Sequence, residues 1–376
     1  FLYCMAWSLG GLLDEKQRLG LDTMLRTLSD NLPQKGDDNE TLYEYYVNEE
    51  NTEWSHWERV LPDWTYPAEQ ENPKWGSLVI PTLDSIRFET LLDLNYALNK
   101  PTLLVGLPGT AKTVTVNQFM AKFPVDEVKN KTITMSSLTT PSIFQFFIEG
   151  CMEKRQGKIY GPPGGKKMIV FVDDISMPNI NEWGDQITNE IVRQLLEQKA
   201  MYNIEKPIGD MKYYVDSHFL GAMNQPGGGK NDIPNRLKRH FCIFNVPEPS
   251  TAAINNIFGN IVGGRFSADH FAAEVVEGSK KLVPMTISLW NDVKAKMLPT
   301  PAKFHYLFNM RELSKVFQGM VFANRDRFNV ASASSETLKP SGGKVTDSLG
   351  YLLALWSHES KSCLLYTSPS PRDVLR

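Results

Sequence analysis

The chain has 376 residues, 41% of them hydrophobic and 22% charged, with a net charge of −3. This composition suits two or three compact units with their own cores and does not indicate a general nucleic-acid surface. No stretch reaches the roughly eighteen apolar residues that a membrane span needs, and the four cysteines lack metal or disulfide spacing, as core thiols of a reducing compartment would.

The opening FLYCMAWSLGGLL is apolar but has no basic leader and no initiating Met, so it reads as the middle of a helix in a chain cut from a longer one rather than as a signal core. Residues 1–32 are expected to be helical, with Leu19, Leu21, Met24, Leu25 and Leu28 recurring at helical spacing. Between residues 37 and 71 eleven acids face a single base, Arg59, leaving about +7 for the rest of the chain without any block of like charge. Tyr43, Tyr45, Tyr46, Trp54, Trp57 and Trp64 are interleaved with these acids, so the segment reads as a solvated, partly docked connector rather than a disordered tail. Leu78-Val79-Ile80-Pro81 then reads as an extended strand, and Thr82-Leu83-Asp84 can cap a helix from Ser85 to about Leu98. An α/β core starts there.

Residues 101–118, PTLLVGLPGTAKTVTVNQ, contain the central motif. A short apolar strand enters the turn-rich loop Gly106-Leu107-Pro108-Gly109-Thr110-Ala111 and passes into an apolar-periodic helix at Lys112-Thr113. Unpaired N–H groups and the positive end of the helix dipole meet at that junction. Lys112 adds a mobile cation, and the Thr113 hydroxyl can ligate Mg²⁺. The spacing is that of a phosphate-binding loop with one departure, Ala111 in place of the second glycine. If the loop needs a left-handed residue there, the Cβ costs about 1 kcal/mol or more.

Lys131–Ser136 alternates like a half-buried strand, Pro141 opens a helix expected to bury Phe144, Phe147 and Ile148, and residues 158–167 have the turn chemistry of a hairpin tip. Met168-Ile169-Val170-Phe171-Val172 has the apolar continuity of a central parallel strand and ends in Asp173-Asp174, a Walker B signature. Asp173 is placed to hold Mg²⁺, and Asp174 stands where many such ATPases orient the attacking water with a Glu. The missing methylene displaces that base by about 1 Å, enough to lose on the order of 10²-fold in rate. A helix over 186–198, with Ile187, Ile191, Leu195 and Leu196 on one face, is followed by the buried strand Phe219–Met223 ending in Asn224, which could hydrogen-bond the attacking water or γ-phosphate. After a loose Gly-rich loop, Arg236 and Arg239 share a helix face and could reach a neighbour's γ-phosphate; a solvated basic patch is the alternative. Residues 250–323 read as a helical lid, in which Arg311 begins the last helix and could fold over a nucleotide or simply form a surface salt bridge. The fold class expected is therefore α/β, a P-loop NTPase: a parallel sheet flanked by helices, followed by a helical lid and preceded by a helical lid or bundle fragment; the resemblance described next makes it of AAA+ type and that fragment the lid remnant of a previous module.

Taken together and in this order, GLPGTAKT, VFVDDISMPNINEWGDQITNEIVRQLLEQ, AMNQPGGGKNDIPNRLKRHF and LPTPAKFHYLFNMRELSKVFQG resemble the third AAA+ module of an axonemal dynein heavy chain of the outer-arm type, over roughly residues 1–359. The resemblance implies that residues 1–75 are the end of the second module with its connector, 76–248 the α/β core, 249–335 the helical lid and 336–359 the approach to the next module. It assigns Lys112 and Thr113 to Walker A, Asp173 and Asp174 to Walker B, Asn224 to sensor 1 and Arg311 to sensor 2. Arg236 and Arg239 match an arginine-finger segment acting in trans on the preceding module. It further implies ATP or ADP with Mg²⁺, neighbouring AAA+ modules in cis, microtubules reached through an absent stalk, and intermediate and light chains bound by an absent tail, at the axoneme of a cilium or flagellum. No nucleic-acid or membrane partner is expected. Residues 360–376, SKSCLLYTSPSPRDVLR in sequence from Ser360, depart from that pattern and read as a non-native tail.

Three functions follow. The first is a regulatory nucleotide-binding module of a microtubule motor, whose force-generating hydrolysis belongs to an absent first module. A fully hydrolysing remodelling ATPase acting on a protein substrate is the second, and a structural ring segment with an empty loop the third.

Overall fold

The computed structural model describes residues 1–37, 40–48, 51–67, 73–203, 209–227, 230–301, 306–328 and 348–365. They form two compact units: Phe1–Leu61 with Leu83–Glu248, and Pro62–Thr82 with the described residues from Pro249 on.

In chain order the first unit contains helices α1 (Leu2–Gly10) and α2 (Glu15–Leu28), the short antiparallel pair β1 (Tyr45–Val47) and β2 (Trp54–His56), α3 (Leu83–Ala97), β3 (Thr102–Gly106), α4 (Lys112–Ala121), β4 (Val128–Thr134) and α5 (Pro141–Glu149). There follow β5 (Glu153–Gln156), β6 (Ile159–Gly161), β7 (Lys167–Asp173), α6 (Ile187–Gln198), β8 (Ala200–Tyr202), β9 (Met211–Tyr214), β10 (Ser217–Asn224), α7 (Asn235–Lys238) and β11 (Cys242–Val246). The main sheet has the order β11-β3-β10-β7-β4, and every pairing is parallel. Its three inner strands carry the near-continuous apolar runs that burial on both faces demands, while β4 at one edge alternates between buried and open positions. A smaller sheet, β5-β6-β9-β8, stands on α5: the Lys212 ammonium and the Tyr214 hydroxyl both donate to Glu149 at 3.0 Å.

The helical start packs on this core through an apolar cluster that joins Trp7, Leu25 and Tyr43 to Phe88, Leu92 and Phe244. Asp14 begins α2 with a capping box completed by Gln17. Only part of the expected apolar face of α2 is buried: Leu25 is in the core and Leu21 packs against it, but Leu19, Met24 and Leu28 are exposed, and Arg18 and Asp22 are buried beside Leu25. Arg18 lies with its guanidinium 4.7 Å from the Tyr43 ring centre, and Asp22 accepts from Arg26 and Lys35 at 2.9 Å each and from the Leu42 N–H. Burial raises the Asp22 carboxyl, but the hydrogen bonds from Arg26 and Lys35 outweigh it and hold it below the usual carboxylate range. Polar residues can occupy a core position when their partners are supplied there.

The second unit packs α8 (Thr251–Arg265), α9 (Ala273–Lys296), α10 (Met310–Val321) and α11 (Ser348–Ser360) around one core, with Phe258 stacked on Phe317 at 4.3 Å. Leu78 and Ile80 belong to this core. They form no strand; the segment follows a short 3₁₀ turn, Trp75–Ser77, and uses its apolar side chains as plugs rather than in a ladder. Three smaller expectations also change. Phe147 and Ile187 are exposed at 39% and 57%. The hairpin turn falls at Gly157-Lys158 between β5 and β6, ahead of the Pro-Gly stretch. The helical lid is present, and α11 runs to Ser360 with a further helical turn, Lys361–Leu365, where the sequence shows no helical period. Residues 336–347 and 366–376 lie outside the described residues.

Candidate functional site

The parallel order brings the ends of β3, β7 and β10 together, so that residues far apart in sequence converge at the carboxyl edge of the sheet. β3 delivers Gly106 into the phosphate-binding loop, and α4 starts at Lys112. Gly106 is required for closeness: a Cβ there would stand 2.5 Å from the Val246 carbonyl oxygen. Gly109 takes φ +89° in the turn with Pro108. Ala111 adopts φ 60°, ψ 13°, so the loop does demand a left-handed residue and the alanine Cβ is held in strain.

The Lys112 ammonium donates to the Gly106 and Leu107 carbonyls at 2.9 and 2.8 Å and to the Thr110 hydroxyl at 3.3 Å. The cation is thus folded into the concave side of its own loop, among groups that a phosphate would displace. Across the site the Thr113 hydroxyl donates to Asp173 Oδ2 at 2.9 Å, and the Asp174 N–H donates to Asp173 Oδ1 at 3.0 Å. Burial, and after it the neighbouring Asp174 charge, push the Asp173 carboxyl up, against the lowering hydrogen bond from Thr113. A half-buried carboxylate with a like charge beside it and a hydroxyl at hydrogen-bond distance fits a divalent cation held partly by phosphate oxygens. No cluster of three or more His, Cys, Asp or Glu able to hold a metal by itself occurs among the described residues.

Asp174 has φ 53°, and Asn224 Nδ2 approaches its Oδ1 at 3.5 Å. The turn after Asp174 is pinned from below by two buried amides that sequence reading passed over. Gln186 donates to the Ser176 and Pro178 carbonyls, and Asn189 to that of Ile175. Lys112, Thr113, Asp173, Asp174 and Asn224 therefore form one site. Arg236 and Arg239 do not join it; they sit on and just after the four-residue α7, 67% and 59% exposed, tied to Glu190 at 3.8 Å and Glu197 at 2.8 Å. Those acids lie seven residues apart on α6 with Arg193 bonded to both, a spacing that marks one helix face and was legible in the sequence. Arg311 belongs to the second unit, where the Asn309 side chain caps its backbone N–H and its own side chain is exposed.

Comparison with known proteins bears on this site. The sequence family described as P-loop containing dynein motor region matches residues 67–249. Residues 1–59 match the dynein heavy chain AAA lid domain, and residues 282–333 the AAA+ lid domain. The dynein gamma chain of the flagellar outer arm of Chlamydomonas reinhardtii is 63% identical over 361 residues, covering 96% of this chain and 8% of that protein. Dynein axonemal heavy chain 5 of Rattus norvegicus is 46% identical over the whole chain and 10% of its own length. Dynein axonemal heavy chain 8 of Homo sapiens is 46% identical over 85% of the chain and 7% of its own length. The chain thus spans a tenth or less of these relatives.

Proposed function

Because the chain belongs to the axonemal dynein heavy-chain family of AAA+ P-loop proteins, we propose that it is a regulatory nucleotide-binding module, the third, of a ciliary motor that moves along microtubules in the axoneme. A lid-domain match at residues 1–59 ahead of the P-loop match at 67–249 supports two consecutive modules in one chain. On this reading residues 1–75 end the preceding module, 76–248 and 249–335 are the core and lid of this one, 336–359 lead onward and 360–376 are a non-native tail. Microtubules would be reached through a stalk, and intermediate and light chains through a tail, both in parts of a longer protein. The remodelling ATPase is not favoured, since the relatives named above are all dynein heavy chains.

The observation that carries the proposal is the convergence of Lys112, Thr113 and Asp173 on one point at the end of the sheet. There the loop residues Gly106, Pro108, Gly109, Thr110 and Ala111, with Lys112, bind the phosphates of ATP or ADP, while Thr113 and Asp173 hold Mg²⁺. The cation, when bound, neutralises phosphate charge. Asp174 orients the attacking water under the hold of Asn224, and its short side chain makes turnover slow, which suits a site whose occupancy rather than hydrolysis matters. Arg311 takes the sensor 2 role only by the resemblance in sequence. A fluorescent ATP analogue titrated into the chain with Mg²⁺ tests this. Micromolar binding that is abolished by Lys112→Ala, with little phosphate release in the parent or in Asp174→Glu, supports it. Failure of the parent to bind, with recovery in Ala111→Gly, would instead leave a structural spacer.

Arg236 and Arg239 serve, in this proposal, the nucleotide of the preceding module, with Glu190 and Glu197 holding them when unengaged. In a longer protein that includes that module, Arg239→Ala should lower its kcat with little change in KM. An unchanged kcat removes the role.

A further inference from the structure

Asn245 lies on β11, an edge strand of the main sheet, and is 5% exposed. Its four polar groups are all engaged. The backbone N–H donates to the Gly11 carbonyl at 2.7 Å, the backbone carbonyl accepts from Arg18 Nη2 at 2.9 Å, and the side-chain Nδ2 donates to the Leu13 carbonyl at 3.3 Å. The remaining atom, Oδ1, accepts from Gln225 Nε2 at 3.2 Å. Three of these partners belong to the helical start of the chain, and the fourth is the residue directly after Asn224.

The strand register sharpens this. Gly106, the first residue of the phosphate-binding loop, is flanked by Asn224 on β10 and by Val246 on β11. The fit on the Val246 side leaves no room for even a methyl group. Gly11 is also close on the outer side of β11: its φ is ordinary, yet a Cβ would stand 2.5 Å from the Trp7 carbonyl oxygen of α1, 2.9 Å from the Phe244 ring and 3.2 Å from the Ile243 carbonyl oxygen. Contacts this tight shift together rather than yielding separately.

We propose that Asn245 is a junction through which nucleotide at the Lys112 site strengthens the hold of residues 1–28 on β11, and through which that hold strengthens nucleotide binding. The inference rests on the nucleotide reading above. A phosphate that engages Asn224 fixes the end of β10 and with it the backbone of Gln225. The exposed Gln225 amide then has less freedom to lose in bonding to Asn245. Since the Asn245 amide is planar, a fixed Oδ1 keeps Nδ2 aimed at Leu13. The element with two states is the helical segment, docked on the strand edge or locally released, and linkage requires the effect to run both ways by the same factor.

Hydrogen exchange of residues 11–28, measured on the full 376-residue chain with and without the Mg²⁺-bound fluorescent ATP analogue, tests the junction. Nucleotide should slow exchange there about fivefold or more in the parent. It should have no such effect in Gln225→Ala, a surface change that leaves the loop and the Gly11 and Arg18 bonds in place. Reciprocally, Gly11→Ala, which lies outside the phosphate loop and loosens this docking, should weaken nucleotide binding by up to the same factor. Bound nucleotide with unchanged exchange in the parent, or slowing of the same size in Gln225→Ala, overturns the junction while leaving the nucleotide reading intact. Absence of binding in the parent titration overturns both, and the fluorescence signal distinguishes the two failures.

Discussion

The Thr113 hydroxyl donates to the Asp173 carboxylate at 2.9 Å, so the first turn of α4 and the end of β7 are joined by one pair of side chains sixty positions apart. Asp173 is nevertheless raised by burial and by Asp174, which gives the pair a pH dependence of definite sign. With its folded value above the unfolded one, its favourable contribution is present at acid pH and is lost as pH rises through that raised value. Above that value the ionised carboxylate weighs against folding. Asp173→Asn should therefore leave the nucleotide-free chain as stable as the parent or more so in urea unfolding, while Mg²⁺-dependent nucleotide affinity drops tenfold or more. A clear loss of nucleotide-free stability would contradict this assignment.

Ala111 is held left-handed, and glycine takes that conformation without the Cβ clash. Ala111→Gly should stabilise the chain by about 1 kcal/mol, read as a higher urea midpoint with an unchanged slope, and should tighten nucleotide binding.

Asp22 is 1% exposed and accepts from Arg26, Lys35 and the Leu42 N–H. Asp22→Ala leaves two half-buried cations, Arg26 and Lys35, and a buried backbone donor without their acceptor, at a cost of about 3 kcal/mol. Because its folded pKa is lowered, the stability it confers is present above the ordinary value of 3.8 and disappears as pH falls below it.

His218 gives a separate acid window. It is 4% exposed on β10, with its ring edge-on to Tyr96 and Nδ1 3.4 Å from Asn99 Oδ1, and its Nε2 has no hydrogen-bond partner among the described residues. Burial, then the Lys199 charge, lower it from 6.5 to about 4. The unfolded chain takes up this proton first, so stability should fall by about 3 kcal/mol as pH drops from 6.5 to about 4. Unfolding measured across that range should show a shallower fall in His218→Gln; an identical profile would exclude His218 as the cause.

Much of the site was legible before any coordinates. Lys112 and Thr113 follow a strand and open a helix, and Asp173 ends an apolar run, because strand, loop and helix each have local signatures of period and turn chemistry. What escaped that reading was of another kind. The apolar period of α2 points to Leu19, Leu21, Met24, Leu25 and Leu28, but beside Leu21 and Leu25 the face that docks carries Arg18 and Asp22, whose partners include Asn245, Lys35 and the backbone of Leu42. Leu78 and Ile80 look like a strand because a short apolar run before a proline is all the segment offers, yet they fill the helical core of the second unit.

The sequence by itself determined the order of elements and the chemistry of the phosphate loop, since both depend on neighbours within a turn or two. Only the tertiary structure decided that Ala111 is strained, that Arg236 and Arg239 are tied to Glu190 and Glu197, and that Asn245 joins Gln225 to Gly11, Leu13 and Arg18. The reason is physical. A backbone angle is imposed by the closure of the whole loop, and a hydrogen bond across more than two hundred residues exists only once the sheet has set its register.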